Sequence, residues 1–501
     1  MKRGSFIRMA LAMAIAASCM GDAYGQFRPN CGGEEQPPCV PPSLPVLPPL
    51  NPQSKSGNGT KTLVIGGVIA IIGITVTLPL VTNTSPFVTN NGPPASPTSP
   101  SFGSPPGGPS GPGADGTPNQ PPPGPPSGPF LRSTFNQPAR AADCVPDEVI
   151  ADALPDQIAL IAARNNLTVL QSNFFPLLDT WLHLLHIEGG VPVTTAITGL
   201  SGDTQARGAQ CNFYFRTAQA PEEPASAAEQ YAPAKLNLTE AHRLARGDRI
   251  LIAVIDSGVD TSHPDLAGAI AGVFEAAGAG EAAHAHGTGM AGAIAARRNM
   301  LGTAPGVRLL AVRAFSTRAD SAEGTTYSIL RGLDWAASQG ARVVNISFAG
   351  PSDPRLREAL ARANAKGMVL VAAAGNAGPS SPPLYPAADP NVIAVTATNA
   401  DDRLFAGANR GNYIAVAAPG VDILAPAPDG AHQFTTGTSV AAAEVSGIVA
   451  LLLQRNPSLT PAEVRKILMD TAKDLGPKGR DREFGAGLVN ALKALTAVRP
   501  R

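Results

Sequence analysis

Residues 341–374 read ARVVNISFAGPSDPRLREALARANAKGMVLVAAA. Ala341–Phe348 and Met368–Ala374 are apolar, β-branched-rich runs, as a strand buried on both faces requires. Between them Asp353 can cap a helix, Pro354 suits its first position, and Leu356, Ala359, Leu360 and Ala363 share one face. Gly367 ends it. A strand, helix and strand in this order predict parallel pairing with a right-handed crossover. Arg249–Ile255 is a third run of the same kind. The alternation extends over 236–498 and predicts an α/β domain with a doubly wound parallel sheet.

Working outward, 218–235 is rich in Ala, Pro and Glu and reads as an exposed connector open to proteolysis. Before it, 143–217 reads as a small α+β domain. Strands are predicted at Glu148–Leu154, Leu167–Leu170 and Trp181–Ile187, and helices at Pro155–Asn165 and Val193–Leu200. Cys211, Phe213 and Phe215 alternate with polar residues in a last strand. That β-α-β-β-α-β order fits a ferredoxin-like fold. His183 and His186 lack further ligands at metal spacing and are read as structural.

The chain has 501 residues, of which 52 are Gly and 50 Pro. The prolines concentrate in 26–61 and 82–142, which bury too little apolar surface to offset chain entropy and are predicted to be disordered. Residues 1–25 read as a secretory signal, with Lys2, Arg3 and Arg8 before an apolar run and small residues at Ala23–Gly25. The 62–81 segment has no charge and is long enough to span a bilayer, so a membrane tether is expected there. The two segments conflict. Lys55 and Lys61 before the span put the C-terminal part outside the cytoplasm, whereas a cleaved signal implies the opposite. We expect an extracytoplasmic location, secreted, periplasmic or envelope-associated. With 38 Lys+Arg against 38 Asp+Glu there is no electrostatic ground for a nucleic-acid partner.

Five cysteines are present. Cys19 leaves with the signal. Cys31 with Cys39 and Cys144 with Cys211 is the simplest of three pairings of the rest. Disulfides agree with export, and buried free thiols are the other reading.

Four segments carry chemistry. Asp256 ends a buried strand in VIDSG (254–258). His286 opens HGTGMAG (286–292). Ser439 lies in GTSVAAA (437–443), at the start of a long apolar helix. Asn376 follows a buried strand in AAAGNAG (372–378). A serine hydroxyl needs a base, the base needs a carboxylate, and a carbonyl under attack needs oxyanion donors. Each segment alone suits an ordinary turn or cap. Together, in this order, they resemble the subtilases, the subtilisin-like serine proteases, over roughly 230–498.

The resemblance implies that Asp256 orients, His286 is general base and acid, Ser439 is the nucleophile and Asn376 an oxyanion donor. It implies that Ser347, Phe348, Ala349 and Gly350 pair with a polypeptide substrate, and that Ala373, Ala374 and Gly375 wall a small, apolar specificity pocket. Ala349 stands where Gly is frequent, which would crowd that strand. His284 is read as a bystander and His263 as structural. Ala443-Glu444 replaces a frequent Pro-His, and Gly289 a second His. No cofactor is implied for the chemistry. Asp265 matches a calcium ligand, but the loop Arg297–Pro305 is shorter than in calcium-binding relatives, so structural calcium stays open. A cis proline is implied at Tyr385-Pro386. The 143–217 domain stands where the family carries an inhibitory propeptide, so the chain's own propeptide is an expected partner and self-cleavage is expected between Arg216 and Leu236. The function expected is thus an exported zymogen of a serine endopeptidase. The alternative is a silent binding protein of the same fold tethered to the envelope.

Overall fold

The computed structural model describes residues 143–217, 223–224, 230–278, 280–318 and 321–501. The expectations for 1–25, 26–61, 62–81 and 82–142, with Cys31 and Cys39, lie outside the described residues. Among the described residues no helix is long and apolar enough to cross a membrane.

The small domain runs β1 (Cys144–Asp152), α1 (Ile158–Arg164), β2 (Leu167–Phe175), β3 (Thr180–Ile187), α2 (Val193–Gly202) and β4 (Gly208–Thr217). Its antiparallel strands lie in the order β2-β3-β1-β4, the ferredoxin-like arrangement. The helix α1 starts later than expected because Pro155–Gln157 form a turn. The strand β2 runs five residues past the expected Leu170, since pairing with β3 carries it through the polar Gln171–Asn173. Alternate residues of the sheet face opposite ways. Val149, Ala151 and Leu185 pack under α1 and α2, while Ile150, Leu182, Leu184 and Phe213 join the core of the larger domain. Cys144 and Cys211 form a disulfide (S–S 2.11 Å) that ties β1 to β4.

The larger domain begins after β5 (Glu223–Pro224). Its elements are β6 (Leu251–Asp256), β7 (Ile270–Glu275), α3 (Ala285–Ala295), β8 (Arg308–Arg313), β9 (Phe315–Arg318), β10 (Ser321–Thr325), α4 (Thr326–Ser338), β11 (Val343–Ile346), β12 (Phe348–Ala349) and α5 (Pro354–Ala365). There follow β13 (Val369–Ala373), β14 (Val392–Thr398), β15 (Ile414–Pro419), β16 (Ile423–Ala427), β17 (Ala431–Thr435) and α6 (Thr438–Arg455). Seven strands form a parallel sheet in the order β15-β14-β13-β11-β6-β8-β7. Ile252, Val254, Val343, Val369 and Val371 pack with the apolar residues of α3 and α6, while Ala253, Ile255, Val344, Ile346 and Leu370 pack with those of α4 and α5. The predicted helix is α5, capped by Asp353, whose carboxylate accepts from the N–H groups of Arg355 and Leu356.

Strand order reverses beside β6, where the chain builds β8 and β7 on one side and β11 on the other. Open α/β sheets bind ligands outside the carboxyl ends of the strands at such a reversal. Asp256 is the last residue of β6.

Candidate active site

The expected strand Ala341–Phe348 is two strands. Val343–Ile346 stays in the parallel sheet, and Phe348–Ala349 turns away to pair with β4. Ser347, between them, is fastened to α6. Its hydroxyl donates to the Ser439 carbonyl (3.1 Å), and its carbonyl accepts from the Ser439 hydroxyl (3.1 Å). Asn345 holds Ser347 from the other side, Nδ2 to Oγ at 2.8 Å. Ser446, two turns along α6, donates to Asn345 Oδ1 (3.0 Å).

Asp256 and His286 meet directly. His286 Nδ1 lies 2.6 Å from Asp256 Oδ1, and both side chains are 1% exposed. Since a carboxylate only accepts, Nδ1 carries the proton and Nε2 is left with a lone pair. The same oxygen accepts from the Ser257 N–H (2.7 Å) and lies 3.0 Å from Ser257 Oγ. Fixed donors of this kind orient the carboxylate.

Asn376 is held by the first turn of α6. Its Oδ1 accepts from the Thr438 N–H (3.0 Å) and hydroxyl (2.8 Å), and the Thr438 hydroxyl accepts from the Gly375 N–H (3.1 Å). An N–H can only donate, so the amide orientation is fixed and the NH₂ end points away from Thr438. Gly375 has φ +108°, and a Cβ there would come within 2.9 Å of Asn409 Nδ2.

Ala373 and Ala374 are fully buried at the end of β13, and the Ala374 carbonyl accepts from the Tyr413 hydroxyl (3.2 Å). Beside β12 runs the end of β4. It pairs antiparallel with β10 on one side (Phe215↔Gly324, Arg216↔Glu323) and with β12 on the other (Arg216↔Ala349, Thr217↔Phe348). Ala349 therefore sits in a ladder opposite Arg216. Phe215 is buried edge-on against Phe348 (ring centroids 5.8 Å), and a Cβ on Gly350 would fall 2.4 Å from the Phe215 ring.

A profile of the subtilase family matches residues 247–487. Thermitase of Thermoactinomyces vulgaris is 35% identical over 283 residues, which are 55% of this chain and 99% of thermitase. The chain belongs to the subtilase family. It is also 38% identical to subtilisin E of Bacillus subtilis over 258 residues, 50% of this chain and 66% of that protein. Among solved structures it resembles fervidolysin from Fervidobacterium pennivorans, a keratinolytic enzyme related to subtilisin (TM-score 0.63, 26% identity, 72% of this chain and 62% of that one). The chain is a subtilisin-like serine protease, so the silent binding protein is not favoured.

In this subtilase His284, read as a bystander, makes contacts within the site. It precedes α3 with Nδ1 2.8 Å from Ser257 Oγ and 3.4 Å from the His286 backbone nitrogen. A histidine two residues off a motif gives no signal of its own, because the contact spans 27 residues to Ser257. Asp265 does not fit calcium. Its Oδ1 accepts from the Asn299 N–H (2.6 Å) and its Oδ2 from His432 Nε2 (2.7 Å). His263, the third side chain of this group, accepts the Asp265 N–H at Nδ1 and donates from Nε2 to the Ala431 carbonyl. Calcium needs six to eight oxygens, and this cluster offers one engaged carboxylate among nitrogens. Tyr385-Pro386 is cis, as the resemblance implied. His183 is buried in the small domain between Ser172 Oγ (2.8 Å) and the Ala153 carbonyl (3.1 Å), in keeping with a structural role.

Proposed function

We propose that the chain is a self-processing serine endopeptidase in which Ser439 attacks the peptide carbonyl, His286 moves the proton and Asp256 holds the imidazole. The Ser439 hydroxyl gives its proton to His286 Nε2 instead of to the Ser347 carbonyl. The carbonyl carbon bonds to Oγ, and the oxyanion takes hydrogen bonds from the Asn376 NH₂ and the Ser439 backbone N–H. His286 then protonates the leaving amine, and water hydrolyses the acyl-enzyme by the same route in reverse. Ser347, Phe348, Ala349 and Gly350 bind the substrate backbone, and Ala373, Ala374 and Gly375 favour small or apolar side chains. No cofactor enters these steps.

The observation that carries this reading is the ladder between β4 and β12. Thr217 is paired with Phe348, one residue short of Ser347, which is bonded to Ser439. In sequence the residue after Thr217 is Ala218, so the bond we propose for self-cleavage is Ala218–Gln219. That falls within the expected Arg216–Leu236 window. Cleavage there would leave the small domain as a propeptide whose last strand blocks the cleft. The basic start and apolar run of 1–25 support export, with the protease outside the cytoplasm.

The test is expression of residues 26–501 and of its Ser439→Ala variant, followed by mass and casein hydrolysis over time. Hydrolysis by the parent alone, with a new N-terminus at Gln219, is the expected result. An identical N-terminus in both proteins would overturn self-processing.

A further inference from the structure

The inference below rests on the protease reading and adds one residue to its machinery. His284 is partly buried at the entry to α3, two residues before the base. Its Nδ1 reaches Ser257 Oγ (2.8 Å), which reaches Asp256 Oδ1 (3.0 Å), which accepts from His286 Nδ1 (2.6 Å). Two imidazoles thus converge on one carboxylate, one directly and one through a hydroxyl.

Proton counting sets the direction of this chain. Ser257 Oγ has one proton. Donation to an ionised carboxylate is charge-assisted and stronger than donation to a neutral ring nitrogen. With that proton on Asp256, the 2.8 Å contact needs a proton on His284 Nδ1. The competing contact, acceptance from the His286 backbone N–H, is long at 3.4 Å. The Gly287 N–H also points at Ser257 Oγ (3.3 Å), so the hydroxyl oxygen is a hub between β6 and α3. Burial lowers the proton affinity of His284. The charged groups facing it are Asp256, which opposes that effect along with Glu281, and His286 and Arg313, which reinforce it.

We propose that His284 is a positioning residue for the Asp256–His286 pair and acts by fixing the rotamer of Ser257. Without His284, Ser257 Oγ is free to turn from Asp256, and the carboxylate loses one of its three fixed donors. The loss appears where positive charge develops on His286, in the transition state, and not in substrate binding.

The measurement is kcat and KM against pH for the full-length chain after maturation, in the parent and in His284→Ala, His284→Asn, Ser257→Ala and His284→Ala/Ser257→Ala. Asn can place an amide donor where His Nδ1 stands and does not titrate. His284→Ala is expected to lower kcat about tenfold with KM changed by less than about twofold. The acid limb of kcat/KM should move to lower pH, because a less well oriented Asp256 supports the imidazolium less. His284→Asn should restore most of the rate, and His284→Ala should have little further effect in the Ser257→Ala background. Unchanged kinetics in His284→Ala would overturn the proposal. So would an effect on KM alone, failure of Asn to rescue, or an undiminished effect in the double variant. If His284→Ala melts early, the Asn variant and the Ser257→Ala comparison still decide. Absence of Ser439-dependent hydrolysis in the parent is a separate failure. It would remove the protease reading, and this inference with it.

Discussion

Glu444 lies five residues after the nucleophile on α6 and is buried. The Thr303 hydroxyl lies between the Ala293 carbonyl (2.8 Å) and Glu444 Oε2, with one proton to donate to either. Burial raises its pKa from the ordinary 4.5 to about 7, opposed in part by the Thr303 bond. The carboxyl group is neutral in both states below pH 4.5. Between about 4.5 and about 7 the unfolded chain ionises it while the folded chain does not, so folding stability falls across that window and levels off above it. The loss is about 3 kcal/mol. Glu444→Gln is expected to flatten the dependence of melting temperature on pH between 5 and 8, measured by calorimetry in the Ser439→Ala background. An unchanged slope would show that other groups set it. At this scale the sequence was readable where a residue ends a buried strand or opens a helix, as Asp256, Asn376 and Ser439 do. It was silent on His284, Ser257 and Thr438, whose partners are set by how two elements approach each other. It left calcium open at Asp265, whose carboxylate is taken up by a neighbour on β17, 167 residues away.

Between elements, the distance from β6 to α3 is set by glycine. A Cβ on Gly287 would lie 2.3 Å from the Gly258 carbonyl oxygen, a backbone atom that cannot turn aside. The same helix meets β16 at Gly292, where a Cβ would fall 2.1 Å from Pro426 Cδ. Gly287→Ala is therefore expected to push His286 away from Asp256. The expected result is at least a hundredfold loss of kcat/KM and a destabilisation of about 2 kcal/mol, read by peptide hydrolysis and urea melts. Parent-like activity would mean that the loop after β6 yields. Arg313 stiffens that loop from beneath, donating to the Ser257 carbonyl (3.0 Å) and to the Glu281 and Ala282 carbonyls (3.0 and 2.9 Å). The strand-helix-strand reading of 341–374 found α5 and its cap because hydrophobic periodicity and capping are local. It ran β11 and β12 together because the break at Ser347 comes from bonds to Ser439, 92 residues on.

Across the whole molecule, the small domain is joined to the protease by polar contacts as well as by its apolar face. Arg355 of α5 pairs with Asp152 (2.7 Å) at a nearly closed interface. Gln210 donates to Asp353 (3.0 Å), and the Tyr327 hydroxyl donates to the Leu182 carbonyl (3.2 Å). Asp152→Ala removes one partner while Arg355 keeps Glu358 (3.1 Å). We expect about tenfold weaker retention of the small domain after cleavage, equivalent to about 1.4 kcal/mol. It would be seen as a shorter lag before hydrolysis and as earlier separation on gel filtration. An unchanged lag would place the hold elsewhere. The disulfide closes a separation of 67 residues within that domain, and its reduction is expected to lower the domain's stability by about 4 kcal/mol. A shorter lag in reductant checks this.

Strand β4 belongs to two structures at once. Its first half completes the sheet of the small domain against β1, and its second half lies between β10 and β12. The two halves share one backbone, so neither can be altered in isolation. A change at Phe348 that reshapes the cleft must be met by a change at Phe215, and a change at Phe215 reaches the fold that presents it. Under the proposed function, Tyr214 to Thr217 would be a written sample of what the cleft accepts, carried in the same gene as the cleft and inherited with it.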